Sequence, residues 1–314
     1  MATDYKQMLF DFWDMVKKNN DAGWKYGVDP TGWRKESHIP YIGDYHPMHI
    51  LNLYYPENWD ISQGKLPTIV YIHGGGWLYG TVDDGERYLG WLASQGYAVM
   101  AMNYRLLQET DLQGLVSDIF TAMRWLASYG PARGFDLNKV LLTGDSAGGH
   151  LTLLTSCIQQ SEKLQQIYGV SPFGFSLSAL CVSCPCVETD TLYINGEQGT
   201  AEGDGTAQAY RDLMLGADGE DAPWRDYMSF SQASKGLKLP PLLLIGSENE
   251  SLYAQSQFLI RFMAEKEEPQ EFEALIWKKE DGPHLLHVFN VGNWEWKESL
   301  ESNSRMLDFF KKHC

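Results

Sequence analysis

Ser146 lies in the run Gly144-Asp145-Ser146-Ala147-Gly148-Gly149, directly after the apolar stretch Lys139-Val140-Leu141-Leu142-Thr143. A strand that runs into Gly-x-Ser-x-Gly and then into helix-forming residues is the pattern of a nucleophile elbow. Glycines two residues either side of the serine leave room for the strained backbone that such a sharp turn imposes. The turn lifts the hydroxyl to the positive N-terminal end of the following helix, where negative charge is favoured. The chemistry that needs a serine there is acyl transfer.

Upstream, His73-Gly74-Gly75-Gly76-Trp77 follows Pro67-Thr68-Ile69-Val70-Tyr71-Ile72. Three glycines after a β-branched strand let backbone N–H groups point into a cleft with no side chain in the way. With the N–H of the residue after the nucleophile, such a loop makes an oxyanion hole. A serine also needs an imidazole to take its proton and a buried carboxylate to orient that imidazole. In this arrangement the chain order is Ser, acid, His. His150 stands four residues on in the same run, and the later histidines are His284, His287 and His313. His313 is at the C-terminus, and His284 follows Pro283 close to the turn, so His287 is the expected base. The acid is expected in Gly246-Ser247-Glu248-Asn249-Glu250, which offers two glutamates and no aspartate. The residues alone leave Glu248 and Glu250 open.

Elements able to position these groups alternate along the chain. Strands are predicted at 49–55, 68–73, 97–103, 139–143, 175–181, 241–245 and 271–277. Helices are predicted at 85–94, 112–129, 147–160, 252–266 and 295–312. The alternation predicts an α/β fold, a mostly parallel sheet with helices on both faces. Residues 1–45 are rich in aromatics, and Met8, Phe12, Met15 and Val16 at helical spacing predict an amphipathic helix, expected as a cap segment. Residues 46–314 are expected to form the catalytic domain. The Gly- and acid-rich stretch 188–234 breaks the rhythm and is expected as an insertion with one short helix near 207–214, placed to roof a pocket.

The chain has 314 residues, 44% of them hydrophobic, enough for a sizeable core. Its net charge of −16 argues against nucleic acid or an anionic membrane as partner. No apolar run approaches a membrane span and no secretion signal is visible at Met1-Ala2-Thr3-Asp4-Tyr5. Five cysteines, an odd number, fit a reducing cytoplasm. Cys181, Cys184 and Cys186 are close in sequence, but no second Cys or His pair stands near to complete a metal site, and they are expected as buried hydrophobes. No metal and no cofactor are expected.

Together these residues resemble the α/β-hydrolase superfamily, and within it the hormone-sensitive-lipase-like esterases with their HGGGW and GDSAGG motifs. The resemblance covers about residues 48–314 and includes Asn103-Tyr104-Arg105-Leu106 and the helix position Asp118. Leu107-Gln108-Glu109 departs from the usual Ala-Pro-Glu, and a glutamate stands where aspartate is commoner. Aligned on Leu252 and Gln255-Ser256, the resemblance implies Glu250 as the acid. It supports His287 through His287-Val288-Phe289-Asn290, and it implies Gly75, Gly76 and Ala147 as oxyanion donors. The expected activity is a serine carboxylesterase taking a small ester, with Trp77 and His284 as substrate-binding residues. A bulky Trp77 beside the oxyanion glycines, and aromatics such as Trp24, Tyr26, Trp33, Tyr193 and Trp224, point to a short, acetyl-like acyl group. The alternatives are an aryl-formamide or other amide hydrolase, and a non-catalytic small-molecule-binding relative.

Overall fold

The computed structural model describes residues 4–23, 27–189, 193–194, 197–198, 205–267 and 270–314. Helix α1 (Tyr5–Gly23) is followed by β1 (Trp33–Pro40), β2 (Ile50–Pro56), β3 (Leu66–Ile72) and α2 (Glu86–Ser94). Then come β4 (Ala98–Met102), α3 (Leu112–Tyr129), β5 (Phe135–Asp145), α4 (Ser146–Gln159), α5 (Glu162–Tyr168) and β6 (Ala179–Ser183). The excursion holds a small hairpin, β7 (Tyr193–Ile194) and β8 (Glu197–Gln198), with α6 (Gly205–Leu215) and α7 (Phe230–Ala233). The chain closes with β9 (Leu242–Ser247), α8 (Tyr253–Glu265), β10 (Phe272–Trp277), α9 (Phe289–Gly292) and α10 (Lys297–Lys312).

Eight strands form one sheet in the order β1-β2-β4-β3-β5-β6-β9-β10. The β1–β2 and β2–β4 pairs are antiparallel and all later neighbours are parallel. Successive side chains on a strand face opposite sides. Val70, Ile72, Val140, Leu142 and Leu244 therefore pack with α3 and α4, while Ile69, Tyr71, Leu141, Leu243 and Ile245 pack with α2 and α10. Helices cover both faces, so the central strands are buried almost throughout, as parallel strands must be. Among the described residues, no helix is long and apolar enough to cross a membrane.

Several boundaries differ from the sequence pattern. Strand β1 falls inside the aromatic-rich N-terminal stretch and carries a bulge between Glu36 and Ile39, where His38 has a φ of 54°. The bulge breaks the alternation that would have marked a strand. Strand β5 begins at Phe135 because a register shift after Pro67 lets polar Asp136 and Asn138 precede the apolar run. Strand β6 is Ala179–Ser183, shifted toward Ser183 from the predicted 175–181. Helix α1 forms, but with a different inward face: Leu9 is buried and Trp13 and Val16 are half-buried, while Met8, Phe12 and Met15 are exposed.

Candidate active site

The loops after β3, β5, β6, β9 and β10 all leave the same edge of the sheet, where ligands bind in open α/β folds. At the β5–α4 junction Ser146 has a φ of 51°, a region that L-residues occupy only under strain. Small neighbours make that turn feasible. A Cβ at position 148 would come within 2.1 Å of the Ile72 carbonyl oxygen and 2.4 Å of that of His73. Glycine at 148 therefore lets α4 start in contact with the end of β3.

The Ser146 hydroxyl donates to Nε2 of His287 at 2.9 Å, and Nδ1–H of His287 donates to Oε2 of Glu250 at 2.8 Å. The same Oε2 accepts from the Leu252 N–H at 2.7 Å, which fixes the carboxylate on the turn after β9. Glu250 is 5% exposed. Glu248, two residues earlier, points out of the site. It accepts from Lys278 Nζ at 2.9 Å and the Lys279 N–H at 3.0 Å, and these bonds hold its carboxyl below the usual range.

The glycine loop after β3 is tied to the elbow by Asp145. Its Oδ1 accepts from the Tyr71 hydroxyl at 2.5 Å and from the Gly74 N–H at 3.2 Å. Burial raises the Asp145 carboxyl, and its hydrogen bonds and the nearby His287 oppose that rise. Gly74 is thus occupied structurally, whereas the N–H groups of Gly75, Gly76 and Ala147 have no hydrogen-bond partner among the described residues. Gly76 has a φ of 58°, and a Cβ there would strike the Trp13 ring at 2.1 Å. The residue must be bare both for its backbone and for the indole above it.

Ser146, His287 and the three loop glycines line a cavity of about 480 Å³. Phe12, Trp13 and Val16 of α1, Trp77 and Tyr79 of the β3 loop, and Tyr210 of α6 form much of its wall. The Trp13 indole N–H donates to the Tyr210 hydroxyl at 2.6 Å, and the Trp13 ring stacks on Tyr79 at 6.2 Å. Helix α1 and the excursion therefore meet over the serine. Trp77 is 3% exposed, and its indole N–H reaches His150 Nδ1 at 3.3 Å. The other nitrogen, Nε2, faces the Met228 carbonyl at 2.8 Å and so carries the proton. Burial pushes His150 down to about 4, keeping it neutral.

The family follows from comparison with known proteins. Residues 69–281 match the family model of the alpha/beta hydrolase fold. The chain belongs to the α/β hydrolase fold family. It is similar to esterase B of Lactobacillus rhamnosis, at 41% identity and a TM-score of 0.90 over 98% of this chain and 94% of that one. A crystal structure of esterase B with a C4-C4 SN3 tributyrin phosphonate inhibitor aligns at 40% identity with a TM-score of 0.91, over 99% of this chain and 96% of that one. The tuliposide A-converting enzyme 2 of Tulipa gesneriana is 31% identical over 134 residues, 39% of this chain and 35% of that protein. The Mycobacterium tuberculosis carboxylesterase NlhH is 31% identical over 128 residues, 40% of this chain and 37% of that protein. These two matches span about a third of each relative's length.

Within this hydrolase architecture the structure brings together Ser146, His287, Glu250, Gly75, Gly76, Ala147 and Trp77. It does not bring His284 to them. The His284 ring lies 3.6 Å from a Glu298 carboxylate oxygen, packs edge-on against Trp296 and does not line the cavity. Trp33 and Trp224 also lie off the cavity: Trp33 donates to the Pro30 carbonyl, and the Trp224 N–H is bonded to Met214 in the core. Trp24 and Tyr26 lie outside the described residues, and Tyr193 is placed in β7 by its backbone alone. The wall residues Tyr79 and Tyr210 carry no sequence signal of their own, since they are aromatics among many.

Proposed function

We propose that the protein is a serine carboxylesterase that passes a short acyl group from a small ester to Ser146 and then to water. The observation that carries this reading is the Glu250–His287–Ser146 relay, at 2.8 and 2.9 Å, beside three backbone N–H groups without a partner among the described residues. In this reading His287 Nε2 takes the Ser146 proton as Oγ attacks the ester carbonyl. The carbonyl oxygen, now negative, is held by Gly75, Gly76 and Ala147, donors already aimed before the charge develops. His287 then protonates the departing alcohol, and a water repeats the sequence on the acyl-enzyme. Glu250 keeps Nδ1 protonated and stabilises the imidazolium.

A cavity of about 480 Å³ suits a small ester. Trp77, braced by His150, and the Trp13–Tyr210 pair limit the room for a long chain, and acyl groups from acetyl to about hexanoyl fit this reading. The inhibitor named for the esterase B structure, a C4-C4 phosphonate, supports it. Rates measured on p-nitrophenyl esters from acetyl to dodecanoyl test it. The kcat/KM should peak at hexanoyl or shorter, and a maximum at octanoyl or beyond would reject the short-acyl pocket. Absence of hydrolysis for every ester, with no phosphonate labelling, would reject the esterase itself.

A further inference from the structure

The three clustered cysteines separate in space. Cys181 is in the sheet core near Thr143, and Cys186 is on the cavity wall. Cys184 follows β6 with a φ of 45° and sits behind the relay. Its Sγ, a Glu250 carboxylate oxygen and a His287 ring nitrogen all lie within 4.8 Å of one another. One Glu250 oxygen is used by both His287 and Leu252; the other, Oε1, is buried without a partner among the described residues. A thiol, an imidazole and a carboxylate with a spare buried oxygen form a donor set for a borderline-soft dication. Zinc bond lengths of roughly 2.0–2.3 Å put donors around one ion roughly 3.3–3.8 Å apart, so a contraction of about 1 Å completes the set.

We propose that this triangle behind the triad is an inhibitory Zn²⁺ site, held by Cys184 Sγ, Glu250 and His287 Nδ1. Zinc loses water ligands, Cys184 releases its thiol proton to solvent, and an S–Zn bond forms while Nδ1 and the carboxylate donate lone pairs. One thiolate and one carboxylate cancel the dication, so the buried cluster is neutral. The inhibition rests on the role proposed above for His287. A metal on Nδ1 leaves the imidazole proton on Nε2, the nitrogen that must accept from Ser146, and displaces Nδ1–H from Glu250.

The test compares wild type with Cys184→Ala using two readouts. One is the cadmium–thiolate charge-transfer absorption in the ultraviolet, which reports binding without turnover. The other is the zinc concentration that halves each protein's own rate on p-nitrophenyl acetate. Wild type should show the cadmium band, lose activity in step with it and recover with chelator. Cys184→Ala should lack that band and need at least about tenfold more zinc. An unchanged band and unchanged zinc sensitivity in Cys184→Ala would overturn the site. A band lost in the variant but no loss of activity in metal-loaded wild type would leave the site standing and overturn the role given to His287. If the variant does not fold, wild type alone decides: a cadmium band that does not track inhibition sinks the proposal.

Discussion

Glu250 turns its carboxylate inward to the His287 ring, while Glu248 faces Lys278 at the rim. That contrast makes a paired experiment possible. Glu250→Gln keeps the shape but removes the charge that stabilises the imidazolium, and should lower kcat by about four orders of magnitude, as acid-to-amide changes do in triads. Glu248→Gln should cost little. Steady-state kinetics on one ester checks both, and equal losses would show that the orienting carboxylate is wrongly assigned. Ser146→Ala should lower kcat by about a million-fold at most and abolish phosphonate labelling in intact-mass spectra. A stoichiometric adduct on the alanine variant would remove Ser146 from its role. Ser146 and the loop glycines were readable in the chain because the elbow and the glycine loop are each a short contiguous run directly after an apolar strand. The acid was not readable from its own loop. Two glutamates separated by Asn249 follow β9, and only the turn that bonds Glu250 Oε2 to the Leu252 N–H decides which one faces His287.

Helix α1 shows how an element can be legible while its orientation is not. Apolar residues recur on more than one side of it, so the periodicity marks a helix without saying which stripe packs inward. Trp13 packs because α6, 197 residues away, presents Tyr210 to its indole N–H. No local spacing carries that information. The alternation of later strands and helices was legible, since each apolar run is bounded by turn residues, whereas the bulged β1 was not. The contact has a consequence that can be measured. Trp13→Ala removes a hydrogen bond and the ring lying over Gly76, together worth about 1–3 kcal/mol of local order. We expect KM for a short ester to rise about tenfold, with a smaller change in kcat and improved turnover of longer acyl chains. Unchanged KM and an unchanged chain-length profile would mean that α1 does not shape the bound substrate.

Over the whole molecule, 41 acidic residues outnumber 25 basic ones, yet the pH response of stability near neutrality turns on buried imidazoles. Burial lowers both His73 and His150, the latter to about 4. In the unfolded chain each regains an ordinary value near 6.5. Between those limits the unfolded state binds protons that the native state refuses, so stability must fall as pH falls. For His150 alone the loss is on the order of 2 kcal/mol between about pH 6.5 and 5. Asp145 acts in the opposite sense, since burial raises it and its protonation favours the native state. Asp44, Asp60 and Glu248 are held below their usual values and titrate beneath this window. A variant is therefore needed to isolate the imidazole. His150→Gln can still accept from the Trp77 indole and donate to the Met228 carbonyl but cannot take a proton. Urea midpoints at about pH 7.5 and 5 should show wild type losing stability on acidification and His150→Gln losing markedly less. Parallel losses in the two proteins would show that His150 is not the group that couples this fold to acid.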